Sequence, residues 1–273
     1  MDQLILQKAL QDLPLGALRY FGSLTSTNDL AARWAQAGAP DLALVVADEQ
    51  TAGRGRMNRR WFTPPGVALA FSLILKDSGA DRPQNVQQPA HLIRYTALGA
   101  LAVCEALNQA LPPMLPTQIK WPNDVVAGRR KLCGVLAEAQ WNGDQLAAVV
   151  LGVGINVAPE SVPPAAELSF PATCVEAVVE TLVDRWALLH AILEKLLYWR
   201  VRLDEHEFIQ AWNMHLAFRG EWVHFAFQDK SPLEGQIMGL SPDGSLRVRT
   251  RSGEVIALQI GEIHLRPVAD RSS

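Results

Sequence analysis

The sequence predicts an α+β fold in which a mixed or antiparallel sheet packs against helices, followed by a small SH3-like β-barrel at the C-terminus. Three observations carry this expectation. Strand-like and helix-like periods alternate through most of the chain, and after about Phe218 the texture changes to short alternating runs only. The third is size: 273 residues, 49% of them hydrophobic, suffice for one large core with a small appendage.

Leu18 to Leu24 has the texture of a strand and runs into T-S-T-N-D, a cluster of side-chain oxygens that marks a helix N-terminus. The helix it opens is the alanine-rich segment Leu30 to Ala37, with Gly38 as its stop. Leu42 to Ala47 and Val67 to Leu75 are strand-like, and Pro64, Pro65 and Gly66 mark a turn ahead of the second. Pro89 to Leu111, rich in alanine and leucine and free of internal proline, suits a buried helix. Gln118 to Trp121, Leu132 to Gln140 and Gln145 to Val157 resume the sheet, with Asn142-Gly143 as a hairpin signal. Leu182, Trp186, Leu189, Leu193 and Leu196 step by four, three, four and three, one face of a helix that Thr181 could cap. They read as core. Beyond Phe218, EWVHFAF, EGQIMGL, SLRVRT and EVIALQI are broken by Pro242-Asp243-Gly244 and Ser252-Gly253, as in a barrel of four to five short strands. The expected division is residues 1–216 and 217–269.

Composition narrows the function classes. Lys+Arg number 25 against 28 Asp+Glu, a net charge of -3, which argues against a body built to lie on nucleic acid or an anionic membrane. The start, MDQLILQKALQD, lacks the basic n-region of a signal peptide, and the apolar run Trp186 to Trp199 is interrupted by His190, Glu194 and Lys195 and too short for a bilayer. Cys104, Cys133 and Cys174, without close spacing, fit reduced thiols and a cytoplasmic protein.

Against this acidic total, the loop from Gln50 to Phe62 stands out: Arg54, Arg56, Arg59 and Arg60, with Gly53 and Gly55, and no acid inside the run. Glycines let backbone bend or approach a ligand closely, and guanidinium forks grip carboxylates and phosphates. Alone, the loop is as readily a solvated basic turn. Lys120 to Asp124 (KWPND) is rigid and polar, a functional turn or one whose Asn and Asp bond their own backbone. Lys131 opens an apolar strand, where a cation entering a cleft needs an anion or else snorkels to solvent. Leu151 to Val157 (LGVGINV) lacks the third glycine of a dinucleotide fingerprint, and Pro159 stands where the helix would start, so a Rossmann reading is rejected. Its glycines suggest a ligand lying on bare backbone, with Asn156 beside it. There is no G-x-x-x-x-G-K-[ST], G-x-S-x-G or H-E-x-x-H pattern, and no metal site is expected.

In order, Ser26 to Asn28 (STN), Gln50 with G-R-G-R-x-x-R-x-W at Gly53 to Trp61, KWPND at Lys120 to Asp124, RKLCG at Arg130 to Gly134 and GVGIN at Gly152 to Asn156 resemble the biotin protein ligases. The match runs from about residue 20 to 157, and a tail ending Gly261 to Arg266 (GEIHLR) extends it. The resemblance implies a core like those of lipoate ligases and class II aminoacyl-tRNA synthetases. It implies ATP-dependent activation of biotin to biotinyl-5'-AMP, with Mg2+ on the nucleotide. Transfer to a lysine of the biotin carboxyl carrier protein of acetyl-CoA carboxylase follows, by a monomer or homodimer.

Position by position, the resemblance puts Ser26, Thr27, Asn28, Gln50, Arg54, Gly55, Arg56, Lys131 and Gly134 on biotin. Arg54, Arg56, Arg59, Trp61, Asn123, Lys131 and Asn156 fall on the nucleotide, and Lys131, Arg56 and Asp124 take the catalytic roles, Asp124 orienting or deprotonating the incoming lysine. Thr51 to Arg60 is expected to be mobile without ligand and to fold over the adenylate. Family loops read G-R-G-R-x-G-R-x-W, and Asn58 here replaces the inner glycine; asparagine tolerates left-handed backbone, so the turn should survive. The stretch before Ser26 is too short for the helix-turn-helix domain of some members, so no operator binding is expected. Two alternatives stand beside this reading. One is a lipoate or octanoyl ligase or transferase on the same core. The other is a non-catalytic nucleic-acid binder using the arginine loop and Arg247 to Arg251, which the acidic total and the lack of interleaved aromatics disfavour.

Overall fold

The structure is a computed structural model that describes residues 2–76, 89–110, 116–168, 170–227, 230–259 and 264–267. Its main sheet has seven strands in the order β1-β2-β3-β7-β6-β5-β4. They are β1 (Ala17–Leu24), β2 (Ala43–Gln50), β3 (Ala68–Leu75), β4 (Thr117–Lys120), β5 (Asp124–Ala127), β6 (Arg130–Asn142) and β7 (Gln145–Asn156). β1 and β2 run parallel through the crossover helix α2 (Thr27–Gln36), and every other pairing is antiparallel. The expected mixed sheet is what forms.

The strand period of two sorts each strand's side chains onto two faces. Leu44 and Val46, Phe71 and Leu73, Cys133 and Val135, and Leu151 and Val153 join α3 (Pro89–Ala110) and α5 (Arg185–Arg200) in the main core. The alternate residues Ala43, Val45, Ile74, Ala148 and Val150 meet α2 in a smaller cluster on the other face. Along that second face the chain then changes character, to Ser72 on β3, Gly134, Leu136 and Glu138 on β6, and Gly152, Gly154 and Asn156 on β7. A cleft opens there, beyond the N-terminus of α2.

Several expectations shift. α5 begins at Arg185 with Asp184 as its cap, whose carboxylate accepts from the amides of Trp186 and Ala187, so Thr181 is not the cap and Leu182 is 88% exposed outside the helix. An acid bonds two orphan amides where Thr181 lies too far upstream. The β6–β7 turn centres on Gly143 and Asp144, one residue later than the Asn-Gly signal, with Asn142 paired to Gln145. β5 was hidden in the sequence by its four-residue length; Gly128 and Arg129, both with positive φ (51° and 64°), turn it tightly into β6. The short helices α1 (Asp2–Ala9), α4 (Val175–Val179) and α6 (His206–Met214) were not expected, although α6 buries Phe208, Ile209, Ala211 and Trp212 along one helical face.

The C-terminal strands β8 (Trp222–Phe227), β9 (Lys230–Leu240), β10 (Leu246–Thr250), β11 (Val255–Leu258) and β12 (His264–Pro267) form one antiparallel sheet, ordered β11-β10-β9-β8-β12, as a small SH3-like unit requires. Of the GEIHLR tail, residues 261–263 lie outside the described residues. Val223, Phe225, Ile237, Leu246 and Val248 are buried in the main core, so the barrel is packed onto the larger body. The buried indole of Trp121 donates to the carbonyl of Gly244 at 3.0 Å across that junction.

Candidate active site

The cleft encloses about 660 Å³, and every residue singled out above for biotin, nucleotide or catalysis lines it. Its closed end is built by the first turn of α2. Ser26 caps the helix by accepting from the amide of Asp29 and keeps its own hydroxyl proton to give. Gln50 Oε1 accepts from both the amide and the hydroxyl of Thr27, at 2.8 and 3.1 Å, and its amide nitrogen donates to Thr63 Oγ1. Ser26, Thr27, Asn28 and Gln50 are all buried, so this pocket end is polar and enclosed by protein.

Asn28 is committed within the protein. Its Nδ2 donates to Glu138 Oε2 at 2.7 Å and to the Leu136 carbonyl at 3.3 Å, while its Oδ1 accepts from Ser72 at 2.6 Å. The carboxamide lies directly on the backbone of Gly152, where any Cβ would overlap it. Trp61 covers Gly154 in the same way. The glycines of β7 therefore make room for two protein side chains instead of leaving bare backbone for a ligand. Trp61 Nε1 is buried without a hydrogen bond in the structure, and Lys131 Nζ lies 5.4 Å from the ring centre.

The arginine loop closes over this floor as a hydrogen-bonded hairpin. Gln50 bridges to Thr63 and Arg54 to Arg60, while the amides of Thr51 and Ala52 donate to the carbonyls of Leu24 and Thr25. The left-handed residue of its turn is Met57 (φ 56°, ψ 42°), not Asn58, so the glycine replacement does not fall on the strained position. Arg54 finds the acids that the loop itself lacks: it pairs bidentately with Glu138 (2.8 and 2.7 Å) and with Asp29 (2.8 Å). The Glu138 carboxylate raises the Arg54 guanidinium above its usual value, the partial burial opposing. Arg54 is thus held at the foot of the loop. Arg56 reaches inward, donating to Asn123 Oδ1 at 3.2 Å. Burial pushes its guanidinium below the ordinary value, Asp124 works against that shift and Arg59 adds to it. An arginine stays charged regardless, and a desolvated one gains most from an anion brought beside it.

The opposite wall is the β4–β5 hairpin and the start of β6. Lys120 and Asp124 are register partners on either side of the cis Trp121-Pro122 turn. Asp124 holds Lys131 Nζ at 2.6 Å and Lys120 Nζ at 3.4 Å. Burial acts to raise the Asp124 carboxyl, but Lys131 and then Lys120 outweigh it and leave it below the usual carboxylate range. Burial likewise pushes the Lys120 amine down, with Asp124 opposing; Lys120 also stands 4.5 Å from the centre of the Phe170 ring. Asn123 bonds Val135 through both its backbone and its Nδ2, and Asn156 donates to the Thr173 carbonyl. Lys131 is itself fastened through its backbone to Pro171 and Thr173.

Sequence reasoning missed Lys120 and Glu138. Lys120 was within reach, since the first and last residues of KWPND flank a three-residue turn and must face each other. Glu138 carried no signal, because its partners are 84 and 110 residues away in the chain.

Among the described residues no group of three or more His, Cys, Asp and Glu is placed to hold a metal ion, and no helix is long and apolar enough to cross a membrane. Residues 20–156 match the biotin/lipoate A/B protein ligase family. The bifunctional ligase/repressor BirA of Bacillus subtilis is 38% identical over 178 residues, 64% of this chain and 51% of its own length. The biotin--[acetyl-CoA-carboxylase] ligase of Paracoccus denitrificans is 33% identical over 238 residues, 85% of this chain and 93% of its own. The chain thus spans about half the length of the first and nearly all of the second. The solved structure of the Aquifex aeolicus biotin protein ligase in complex with biotin and ATP superimposes with a TM-score of 0.76 at 27% identity, covering 92% of this chain and 99% of that one. With its motifs assembled on this sheet, the chain belongs to the biotin/lipoate A/B protein ligase family.

Proposed function

We propose that the chain is an ATP-dependent biotin protein ligase, which forms biotinyl-5'-AMP and passes the biotinyl group to a lysine of a biotin carboxyl carrier domain, that of acetyl-CoA carboxylase. The observation that carries this is the cleft itself: a buried polar end at Ser26, Thr27 and Gln50, and a cationic middle where Arg56 and Lys131 face each other across Asn123 and Asp124. Short donors and acceptors match a ureido ring, which both gives and takes hydrogen bonds. A dithiolane or plain acyl chain would offer them little, so the polar end favours biotin over lipoate or octanoate.

In the first step a carboxylate oxygen of biotin attacks the α-phosphorus of ATP and pyrophosphate leaves. The protein's part is to align the two anions and stabilise the charge that develops between them, which suits Arg56 and Lys131. Trp61, whose ring lies on Gly154, and Asn156 fit the nucleotide side, as does Arg59 on the loop. Magnesium would arrive on the nucleotide's phosphates. In the second step the neutral lysine amine attacks the acyl carbon, AMP leaves with the bridging oxygen, and the nitrogen gives up its proton to solvent. Asp124 has one lysine amine on each carboxylate oxygen, so its work is to orient Lys131 and Lys120. Arg54 and Asn28 brace the site and Gly55 and Gly134 give it room.

Within this proposal residues 1–216 form the catalytic body and 217–269 the barrel, and the enzyme works in the cytoplasm, as a monomer or homodimer, without nucleic acid. The test is incubation with biotin, magnesium-ATP and a biotin carboxyl carrier domain, read by intact mass. One added biotinyl group supports the reading. No addition, or pyrophosphate exchange driven by lipoate and not by biotin, overturns it.

A further inference from the structure

Glu138 lies on β6 behind the cleft residues Arg54 and Asn28, outside the motifs that mark this family in the sequence. Its Oε1 accepts from Arg54 Nη1, and its Oε2 accepts from both Arg54 Nη2 and Asn28 Nδ2, at 2.7 to 2.8 Å. One carboxylate therefore joins three elements: the sheet, the first turn of α2 and the foot of the arginine loop. The fork-to-fork contact with Arg54 is the geometry in which charge-assisted bonds are strongest and most directional. The contact with Asn28 decides which way its carboxamide points, because the nitrogen must face Glu138 and Leu136 and the oxygen must face Ser72.

We propose that Glu138 is a positioning residue that acts through Arg54 and Asn28. Through Arg54 it fixes the hinge of the loop, so that the moving part begins at Gly55 and carries Arg56, while Thr51 to Arg54 stays on the sheet. This replaces a loop mobile along its whole length by a hinged one. Asp29 supports the hinge from α2, with its carboxylate 2.8 Å from Arg54 Nη2. Through Asn28 the same carboxylate holds the floor of the polar end in register with Ser72 and Thr27, since Ser72 Oγ donates to Asn28 Oδ1 at 2.6 Å and lies 2.8 Å from Thr27 Oγ1. Glu138 thus couples the pocket that takes the ligand's head to the loop that closes over its tail. The inference about catalysis rests on the biotin ligase reading, whereas the hinge itself does not.

The two can be tested separately. Limited trypsin digestion of the full chain without ligand, with the first cuts located by mass spectrometry, reads the hinge alone. In the parent the early cuts fall after Arg56, Arg59 or Arg60, and the bond after Arg54 is spared. In Glu138→Gln, which keeps an acceptor for Asn28 but loses the charged fork, cutting after Arg54 rises about tenfold, as expected for the loss of one charge-assisted pair. Equal cutting after Arg54 in parent and variant overturns the hinge whether or not the protein is a ligase. The second measurement uses biotin and magnesium-ATP: Glu138→Gln releases more biotinyl adenylate to solution with the KM for biotin nearly unchanged, whereas Glu138→Ala raises that KM as well. A merely structural Glu138 would lower the folded fraction in both variants without this split, and that outcome overturns the positioning role. Arg54→Lys, which retains a cation without the fork, should resemble Glu138→Gln in both assays.

Discussion

Asp124 holds two lysines at once, Lys131 Nζ at 2.6 Å on one oxygen and Lys120 Nζ at 3.4 Å on the other. Because the carboxylate is buried, each cation depends on it for its place, and the pair of amines is set by one residue at the start of β5. Replacing Asp124 by asparagine keeps the shape and leaves two positive charges facing a neutral amide. Removing one partner of a buried ion pair costs about 3 kcal/mol, so urea unfolding at neutral pH should show a loss of that order. Both biotin-dependent pyrophosphate exchange and carrier biotinylation should fall. A fall in transfer with exchange intact would instead make Asp124 the base for the incoming lysine.

The acid dependence of stability follows from the same contact. The Asp124 carboxyl is depressed in the folded state, so its contribution is complete above the ordinary aspartate value of about 3.9 and disappears as pH drops through the lower folded value. The gap in unfolding free energy between the parent and Asp124→Asn should therefore be full at pH 7 and shrink in strong acid. A gap that stays constant down to the acid transition would show that the ion pair is not its source.

Gly152 and Gly154 receive different side chains, Asn28 and Trp61, which predicts different failures. Gly152→Ala should raise the KM for biotin by displacing the Asn28 carboxamide, and Gly154→Ala should raise the KM for ATP and alter Trp61 fluorescence. Each methyl overpacks a filled space, a cost of about 1 to 3 kcal/mol. Identical kinetic effects of the two substitutions would show that the floor is not divided between the two ligands.

The Arg56 guanidinium reaches across the cleft to Asn123 on the opposite wall. Arg56→Ala should leave the fold unchanged by circular dichroism and let biotinyl adenylate escape, seen as free adenylate by chromatography. Retention of the intermediate equal to that of the parent would remove Arg56 from the closing role.

The barrel reaches the site through Trp121, which lines the cleft and donates to Gly244 in the turn between β9 and β10. Trp121→Phe leaves that carbonyl without its partner, at a cost of about 1 to 3 kcal/mol in thermal or urea unfolding. It should also weaken pyrophosphate exchange, because the turn that carries Lys120 and Asp124 loses its brace. Unchanged exchange at reduced stability would confine the barrel to a structural part.

The local pieces were legible in the sequence because local chemistry decides them. The helix start within Thr25 to Asp29, the apolar runs of β2 and β3, the helical run of α3 and the change of texture after Phe218 each depend on residues close in the chain. So did the candidate residues, whose glycines, arginines and lysine in one order resembled a single family, and the structure gathers them around one cleft. Short elements were less visible, since the four residues of β5 carry too little periodicity to stand out from the turns around them.

What only the tertiary structure decided was who meets whom. The arginine loop contains no acid of its own, and nothing local foretells that Arg54 would meet Glu138 and Asp29, or that the spaces over Gly152 and Gly154 would be filled by Asn28 and Trp61. Those partnerships depend on strand register across β3, β7 and β6, where a shift of one residue would send Glu138 into the core and Gly152 away from α2. Sequence by itself determined the kinds of charge and backbone freedom available. The pairing of the sheet determined which charges neutralise one another and which are left to meet a ligand.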